Sequence, residues 1–73
     1  IGIIMVFKNS PKIAVIGLGY VGLPLAVALA RTYSVVGFDI KQKRIEELHR
    51  AHDATGEVAS EVLRSSTLHI TSA

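Results

Sequence analysis

The sequence predicts an α/β fold in which parallel strands alternate with helices. Short apolar runs rich in β-branched residues, typical of strands in a buried parallel sheet, are separated by segments of helical character. A glycine-rich turn joins the first run to the first helical segment. With 73 residues, 49% of them hydrophobic, and no internal repeat, the chain suits one small domain.

The first strand is predicted over residues 12–16, after a turn cluster at residues 9–11. This run is apolar without interruption after Lys12, as in a strand buried on both faces. The helix predicted over residues 20–32 tolerates Pro24, because the proline falls near the first turn, where few intrahelical N–H bonds are lost. Its apolar side chains point several ways around the axis, so one sheet face cannot cover them all. We therefore expect something else to pack against this helix.

The second half of the chain continues the alternation. A second strand is predicted over residues 34–40. Within it, Gly37 is expected to mark a place where a helix or a nucleotide lies close to the backbone. Residues 41–52 predict an amphipathic helix, with Ile45, Leu48 and His52 at helical spacing. After a break at residues 53–56, we predict a short helix over residues 57–65, with Ala59, Val62 and Leu63 on one side, and a third strand over residues 67–71. Right-handed crossovers place the three strands side by side and parallel.

The turn after the first strand reads Gly17-x-Gly19-x-x-Gly22. Gly17 would allow a sharp exit from the strand, Gly19 would let the backbone approach phosphates, and Gly22 would let helix and strand pack closely. Free N–H groups at the helix start would then point at a pyrophosphate. The layout predicts a partial Rossmann-like sheet, the first mononucleotide-binding half of a doubly wound fold, with helices on its faces. The alternative is an ordinary tight connection without a ligand.

Asp39 follows the second apolar run, about 20 residues beyond the turn, where a carboxylate binds the ribose hydroxyls of the adenosine. It could instead, or in addition, cap the helix that begins near Lys41. Lys41, Lys43 and Arg44 place cations at the start of that helix, against its dipole. They form either a solvated face or, through Lys41 or Arg44, a flank of the adenosine that compensates Asp39. Because Asp39 would repel a 2′-phosphate, we expect NAD rather than NADP.

Other chemistry finds little support in the sequence. Glu46, His49 and His52 have helical spacing that could hold a metal, but too few ligands accompany them for us to predict a metal site. His69 is expected to be a packed, hydrogen-bonded strand residue. No hydrolytic triad can be assigned, and the chain has no cysteine, which fits a reducing cytosol. The formal net charge of +2, with dispersed basic residues, argues against a nucleic-acid partner.

Residues 1–11 are expected to form an extension, and residues 12–73 the first part of a NAD-binding domain. The apolar opening, residues 1–7, is too short to span a bilayer and lacks the flanks of a secretory signal. Met5 is either the natural start, with residues 1–4 foreign to the protein, or an internal residue.

Three stretches carry a more specific resemblance: residues 12–26, which include Gly-Leu-Gly-Tyr-Val-Gly-Leu-Pro, and residues 36–40 and 44–48. They resemble the amino-terminal segment of the UDP-glucose/GDP-mannose dehydrogenase family. His-Asp-Ala-Thr-Gly-Glu-Val at residues 52–58 further resembles the branch that acts on UDP-N-acetylhexosamines, while Gly56 and Ala73 depart from its pattern.

This resemblance implies that the whole protein oxidises carbon 6 of a UDP-sugar to the acid for polysaccharide synthesis, using two NAD molecules in turn and a thiohemiacetal on a cysteine. The catalytic residues and the sugar-nucleotide domain would lie downstream, so we assign no catalytic residue here and expect this piece to be inactive alone. The residues expected to bind NAD are Gly17, Gly19, Tyr20, Val21, Gly22, Asp39, Lys41 and Arg44.

The expected partner is a nucleotide-sugar substrate held by the downstream domains. We also expect a homo-oligomeric full-length protein in the cytoplasm, without nucleic-acid or membrane partners. Two alternatives stay open from the sequence: a stand-alone nucleotide-sensing module, and another NAD- or FAD-dependent oxidoreductase, since the first βαβ unit is widely shared.

Overall fold

The structure, a computed structural model, describes residues 3–7 and 12–73. Its strands are β1 (Ile3–Phe7), β2 (Lys12–Ile16), β3 (Ser34–Phe38) and β4 (His69–Thr71), and its helices are α1 (Gly22–Ala30), α2 (Gln42–His49) and α3 (Ser60–Ser65). The turn predicted at residues 9–11 lies outside the described residues, as do residues 1 and 2.

The strands form one sheet in the order β1-β2-β3-β4. β2, β3 and β4 are parallel, with Val15 beside Gly37 and Gly37 beside Ile70. This confirms the predicted α/β fold with a parallel sheet of three strands. β1 was not predicted as a strand: it pairs antiparallel with the free edge of β2, with Met5 opposite Ala14, and so extends the sheet to four strands.

The core lies between the sheet and the helices. Alternate residues of the strands, such as Ile13, Val15 and Val35, are buried in one cluster with the apolar residues of α1 and α2, while Val62 and Leu63 of α3 pack against that cluster. Within the described residues the helices therefore cover one face of the sheet. The residues between, such as Ala14 and Ile16, are only partly buried, so the expectation that the first strand is buried on both faces was wrong.

Each helix is shorter than the sequence indicated. α1 begins at Gly22, with Pro24 in its first turn as expected. α2 ends at His49 because Ala51 adopts a left-handed φ of 58°, so His52 lies beyond the helix and is exposed. In that turn the amides of Ala51 and His52 donate to the carbonyls of Leu48 (2.9 Å) and Glu47 (3.0 Å), the pattern of a Schellman motif.

α3 begins only at Ser60, because the preceding amides of Glu57 and Val58 donate to the side chain of Asp53. Ala59, expected on the apolar side of this helix, is instead its exposed N-cap.

Among the described residues, the sheet leaves one face of α1 exposed, as the sequence predicted, and what packs against that face stays a prediction. Val21 is 49% exposed and Leu25 is 38% exposed, one helical turn apart, whereas Leu23 and Ala26 are fully buried. The close neighbour of Gly37 is not a helix: a Cβ there would press on the buried side chain of Leu18 from the glycine turn. None of the helices in the described part of the chain has the length and apolar character needed to cross a membrane.

Candidate dinucleotide-binding site

The glycine turn lies at the carboxyl ends of the parallel strands, between β2 and α1. Gly17 leaves β2 with a φ of 98°, a conformation that favours glycine, and its amide donates to the Phe38 carbonyl at 2.7 Å. Gly22 has no room for a side chain because the backbone of Gly17 fills that space. Both glycines therefore do what the sequence predicted for them: one allows the sharp exit, the other allows close packing of helix and strand.

Four successive amides follow in this turn. Among the described residues, the N–H groups of Gly19, Tyr20, Val21 and Gly22 make no hydrogen bond, whereas the next amide, of Leu23, donates to the Gly19 carbonyl at 3.0 Å. α1 has no side-chain cap and no acidic residue in its first turn. The helix therefore begins with unpaired donors at the positive end of its dipole, an arrangement that binds anions.

Gly19 differs from the other two glycines of the motif. Its φ is not in the left-handed region, and a Cβ at this position would have no protein atom within 4 Å. Nothing in the described protein therefore requires glycine at position 19. Its neighbours Tyr20 and Val21 are also exposed, at 68% and 49%, so three expected site residues line an open surface.

Asp39 lies immediately after β3 and faces the glycine turn. One carboxylate oxygen, Oδ2, accepts the Leu18 amide at 2.9 Å, and the other, Oδ1, accepts the Lys41 amide at 2.9 Å. The N-cap of α2 is Lys41, without a side-chain hydrogen bond, so the alternative in which Asp39 is the N-cap of this helix does not hold. Asp39 instead joins the glycine turn to the segment that leads into α2. Each oxygen keeps a second lone pair for another donor.

Lys41 and Arg44 are placed very differently from each other. Lys41 has an exposed side chain, as does Lys43. The Arg44 side chain is only 10% exposed: its Nε donates to the Leu18 carbonyl at 2.7 Å, and its Nη1 lies 3.0 Å from Glu47 and 2.8 Å from Asp53. Arg44 therefore forms its ion pairs with Glu47 and Asp53 and does not belong to a solvated face, whereas its place beside the adenosine stays a prediction.

Asp53 is a buried residue that the sequence reading treated only as part of a helix break. Besides the Arg44 guanidinium, its carboxylate accepts the Thr55 hydroxyl at 2.6 Å and the amides of Thr55, Glu57 and Val58, each at 3.0 Å. Burial alone would raise the pKa of this carboxyl, but these hydrogen bonds outweigh it and hold the pKa of Asp53 well below its ordinary value. An aspartate followed two residues later by threonine was the available sequence signal, since this pair favours a local turn.

The histidines do not form a metal site. His49 bonds through Nε2 to the Ile70 carbonyl at 2.8 Å, whereas His69 begins β4 with an exposed side chain. The expectation that His69 is packed was therefore wrong. No group of three potential metal ligands occurs in the described residues.

Comparison with known proteins places this geometry in a family. Residues 11–70 match the model of the UDP-glucose/GDP-mannose dehydrogenase family, NAD binding domain. The chain belongs to this family. Membership confirms the resemblance seen in the glycine turn and identifies NAD as the cofactor of the domain to which these residues belong.

Three curated relatives show which members of the dehydrogenase family the chain is similar to. The chain is 56% identical over 61 residues to UDP-N-acetyl-D-glucosamine 6-dehydrogenase of Pseudomonas aeruginosa, a match that covers 82% of this chain and 14% of the relative. It is 48% identical over 61 residues to protein CapL of Staphylococcus aureus, covering 84% and 14%. A UDP-N-acetyl-D-mannosamine dehydrogenase of Methanococcus vannielii is 58% identical over 42 residues, covering 56% and 10%.

The chain thus spans about a seventh of the length of the first two relatives. No solved structure matches the chain significantly.

Proposed function

We propose that the chain is the first part of the NAD-binding domain of a nucleotide-sugar 6-dehydrogenase that oxidises a UDP-N-acetylhexosamine to its uronic acid. Family membership and the names of the relatives support the enzyme class. The observation that carries the proposal for this chain is the row of unpaired amides from Gly19 to Gly22 beside the Asp39 carboxylate.

The residues present fit NAD. A pyrophosphate would accept the N–H groups of Gly19, Tyr20, Val21 and Gly22, with Gly17 shaping the turn. The open space over Gly19 supports this placement, because no contact within the described protein explains the missing side chain. When bound, NAD supplies the hydride acceptor for the oxidation.

The adenosine would lie on the side of Asp39. The free lone pairs of this carboxylate are suited to the ribose hydroxyls, while its charge opposes a 2′-phosphate. Lys41 would flank the adenosine with an exposed ammonium group. Arg44 would lie next to the adenosine with a side chain that is only 10% exposed, and its Nη2 is buried without a hydrogen-bond partner in the described residues.

The catalytic steps belong to residues outside this chain. The nucleotide-sugar substrate would bind through downstream domains of a homo-oligomeric, cytoplasmic enzyme, and residues 12–73 would supply the first half of the cofactor site. In a doubly wound fold a dinucleotide lies across both halves, so this chain would bind the adenosine diphosphate portion.

Titration of the 15N-labelled chain, followed by amide NMR shifts, tests the binding proposal. We expect NAD and ADP-ribose to shift the amides of residues 19–22 with similar affinity, because both carry the adenosine diphosphate. AMP should bind more weakly because it lacks the second phosphate. Equal binding of AMP, or shifts confined to other parts of the chain, would contradict the proposed cradle.

The enzyme proposal needs the complete gene product. We expect it to reduce NAD with UDP-N-acetylglucosamine or UDP-N-acetylmannosamine, followed by absorbance at the NADH maximum, and to act more slowly with UDP-glucose. Absence of NAD reduction with every UDP-sugar would overturn the proposed reaction, and reduction with UDP-glucose alone would overturn the proposed branch.

A further inference from the structure

The Arg44 guanidinium links the glycine turn to a second loop, residues 53–58. Its Nε donates to the Leu18 carbonyl. Its Nη1 forms an ion pair with Asp53, whose side chain is fully buried. These two contacts use different nitrogens of a rigid planar group, so Asp53 helps to set how Arg44 meets Leu18, together with Glu47, which lies 3.0 Å from the same Nη1.

Asp53 is itself held from several directions. The Thr55 hydroxyl and the amides of Thr55, Glu57 and Val58 all donate to its carboxylate, so the loop after α2 wraps around this one side chain. The left-handed Ala51 turns the chain back after α2 and brings Asp53 under Arg44. Arg44 is thus held by the loop after α2 as well as by the glycine turn.

The contact with Arg44 sets the orientation of the peptide unit between Leu18 and Gly19. A trans peptide is planar, and its N–H points opposite to its C=O. When Arg44 holds the Leu18 carbonyl at 2.7 Å, it therefore also sets the direction of the Gly19 N–H, the first of the four unpaired amides. The preceding peptide is fixed in the same way, because its Leu18 N–H donates to Asp39.

This control matters because the turn contains residues with wide conformational freedom. Gly17 and Gly19 flank Leu18, so without the two anchors the peptides on each side could rotate at low cost. The Leu18 side chain adds a third anchor, since it is fully buried and packs on Gly37. Leu18 is therefore held by its amide, its carbonyl and its side chain.

We propose that Asp53 is a positioning residue for the dinucleotide site: it holds Arg44 on the Leu18 carbonyl and thereby directs the Gly19 N–H toward the pyrophosphate. The inference rests on the proposed function for its ligand. Its structural part, the control of one amide by a carboxylate beyond the end of α2, can be observed without any nucleotide.

The test compares Asp53→Asn with Thr67→Val in the 73-residue chain. The asparagine keeps the size of the side chain but removes the fully buried one of the two charges that hold Arg44, while the partly exposed Glu47 remains. Thr67→Val removes one hydrogen bond, from the Thr67 hydroxyl to the Ala30 carbonyl at 3.1 Å, next to the opposite ends of the strands. It therefore controls for a general loss of stability. Thr55→Val serves as a milder second variant, because it removes the 2.6 Å bond to Asp53 and leaves the charge.

Two readouts are taken on each folded variant. The first is the amide resonance of Gly19 without nucleotide, and the second is the dissociation constant for NAD. We expect Asp53→Asn to shift the Gly19 amide resonance and weaken NAD binding about tenfold, a change of ~1.4 kcal/mol. Thr67→Val should leave both unchanged, and Thr55→Val should move both in the same direction as Asp53→Asn.

An unchanged Gly19 resonance in Asp53→Asn would overturn the inference, as would equal changes in Thr67→Val. If Asp53→Asn does not fold, the same criteria are applied to Thr55→Val. If the unsubstituted chain fails to bind NAD, the proposal that NAD is the ligand is overturned. The Gly19 amide resonance then still shows whether Asp53 positions the Gly19 N–H. If NAD binds and Asp53→Asn changes neither readout, the positioning role falls and the proposed function stands.

Discussion

The carbonyl oxygen of Gly17 occupies the space that a β-carbon on Gly22 would need. This contact joins the end of β2 to the first residue of α1, so the helix can begin only if position 22 lacks a side chain. The atoms that a β-carbon would meet belong to the Gly17 backbone, which cannot move away as a flexible side chain could.

Gly22→Ala is therefore expected to destabilise the chain by about 3 kcal/mol, the upper range for overpacking. Urea unfolding followed by far-UV circular dichroism measures the change. An alanine variant as stable as the unsubstituted chain would show that the helix does not need this close contact.

Gly19→Ala, unlike Gly22→Ala, should not destabilise the chain. Position 19 faces open space without a left-handed φ, so alanine is expected to keep the free energy of unfolding or raise it by up to ~1 kcal/mol through a less flexible unfolded chain. NAD binding should nevertheless weaken, because the methyl group would stand where the diphosphate approaches. Calorimetric titration beside the unfolding curve separates the two effects. Unchanged affinity would mean that the ligand does not pass over Gly19.

Asp39→Asn tests the choice between NAD and NADP. The amides of Leu18 and Lys41 donate to different oxygens of the carboxylate, and asparagine keeps an oxygen at only one of these two positions. Loss of the charge removes the repulsion toward a 2′-phosphate. We expect weaker NAD binding and a lower ratio of NAD to NADP affinity. Titrations with both nucleotides at one ionic strength measure that ratio, and an unaltered ratio would exclude Asp39 as the discriminating group.

The low pKa of Asp53 predicts a specific loss of stability in acid. Because the folded chain binds this proton less readily than the unfolded chain, the contribution of Asp53 is complete above its ordinary pKa of 3.8 and declines as the pH falls toward the lower folded value. Asp53→Asn should make the unfolding free energy fall less steeply below about pH 4. Glu61→Gln, an exposed carboxylate in α3, is the matched control. Parallel acid profiles of Asp53→Asn and the unsubstituted chain would contradict the assignment.

The sequence predicted those parts of the site that depend on local chemistry. The strand at 12–16 and the strand predicted over 34–40, which ends at Phe38, follow from continuous apolar runs, and the roles of Gly17 and Gly22 follow from their spacing next to such a run. Asp39 was placed correctly at the end of its strand. Its contact with the Leu18 amide joins residues 21 positions apart and has no local signal beyond the spacing of the motif.

The sequence did not predict the contacts that form where the chain folds back after α2. Arg44 has the sequence character of a solvated helix residue, and only the left-handed turn at Ala51 brings Asp53 back against it. The same carboxylate draws the amides of Glu57 and Val58 away from helical bonding, which delays α3. Helical periodicity alone could not reveal this competition between a buried acceptor and the helix.

β1 was missed because a short apolar opening has no partner visible in the sequence. In the structure it pairs along β2, from Ile3 opposite Ile16 to Phe7 opposite Lys12. In a doubly wound sheet this edge of the first parallel strand receives a strand from the second half of the domain. β1 therefore covers an edge that would otherwise present unpaired N–H and C=O groups.

Removal of residues 1–7 should expose that edge. We expect the shortened chain to associate more strongly than the 73-residue chain at equal concentration, because an unpaired strand edge is a template for a second strand. Sedimentation velocity over a range of concentrations measures the association. Ile4→Lys is the control, since it changes the charge of an exposed β1 residue while keeping the backbone pairing with Val15. If the shortened chain and the control have the same concentration dependence, the backbone edge of β2 does not drive association.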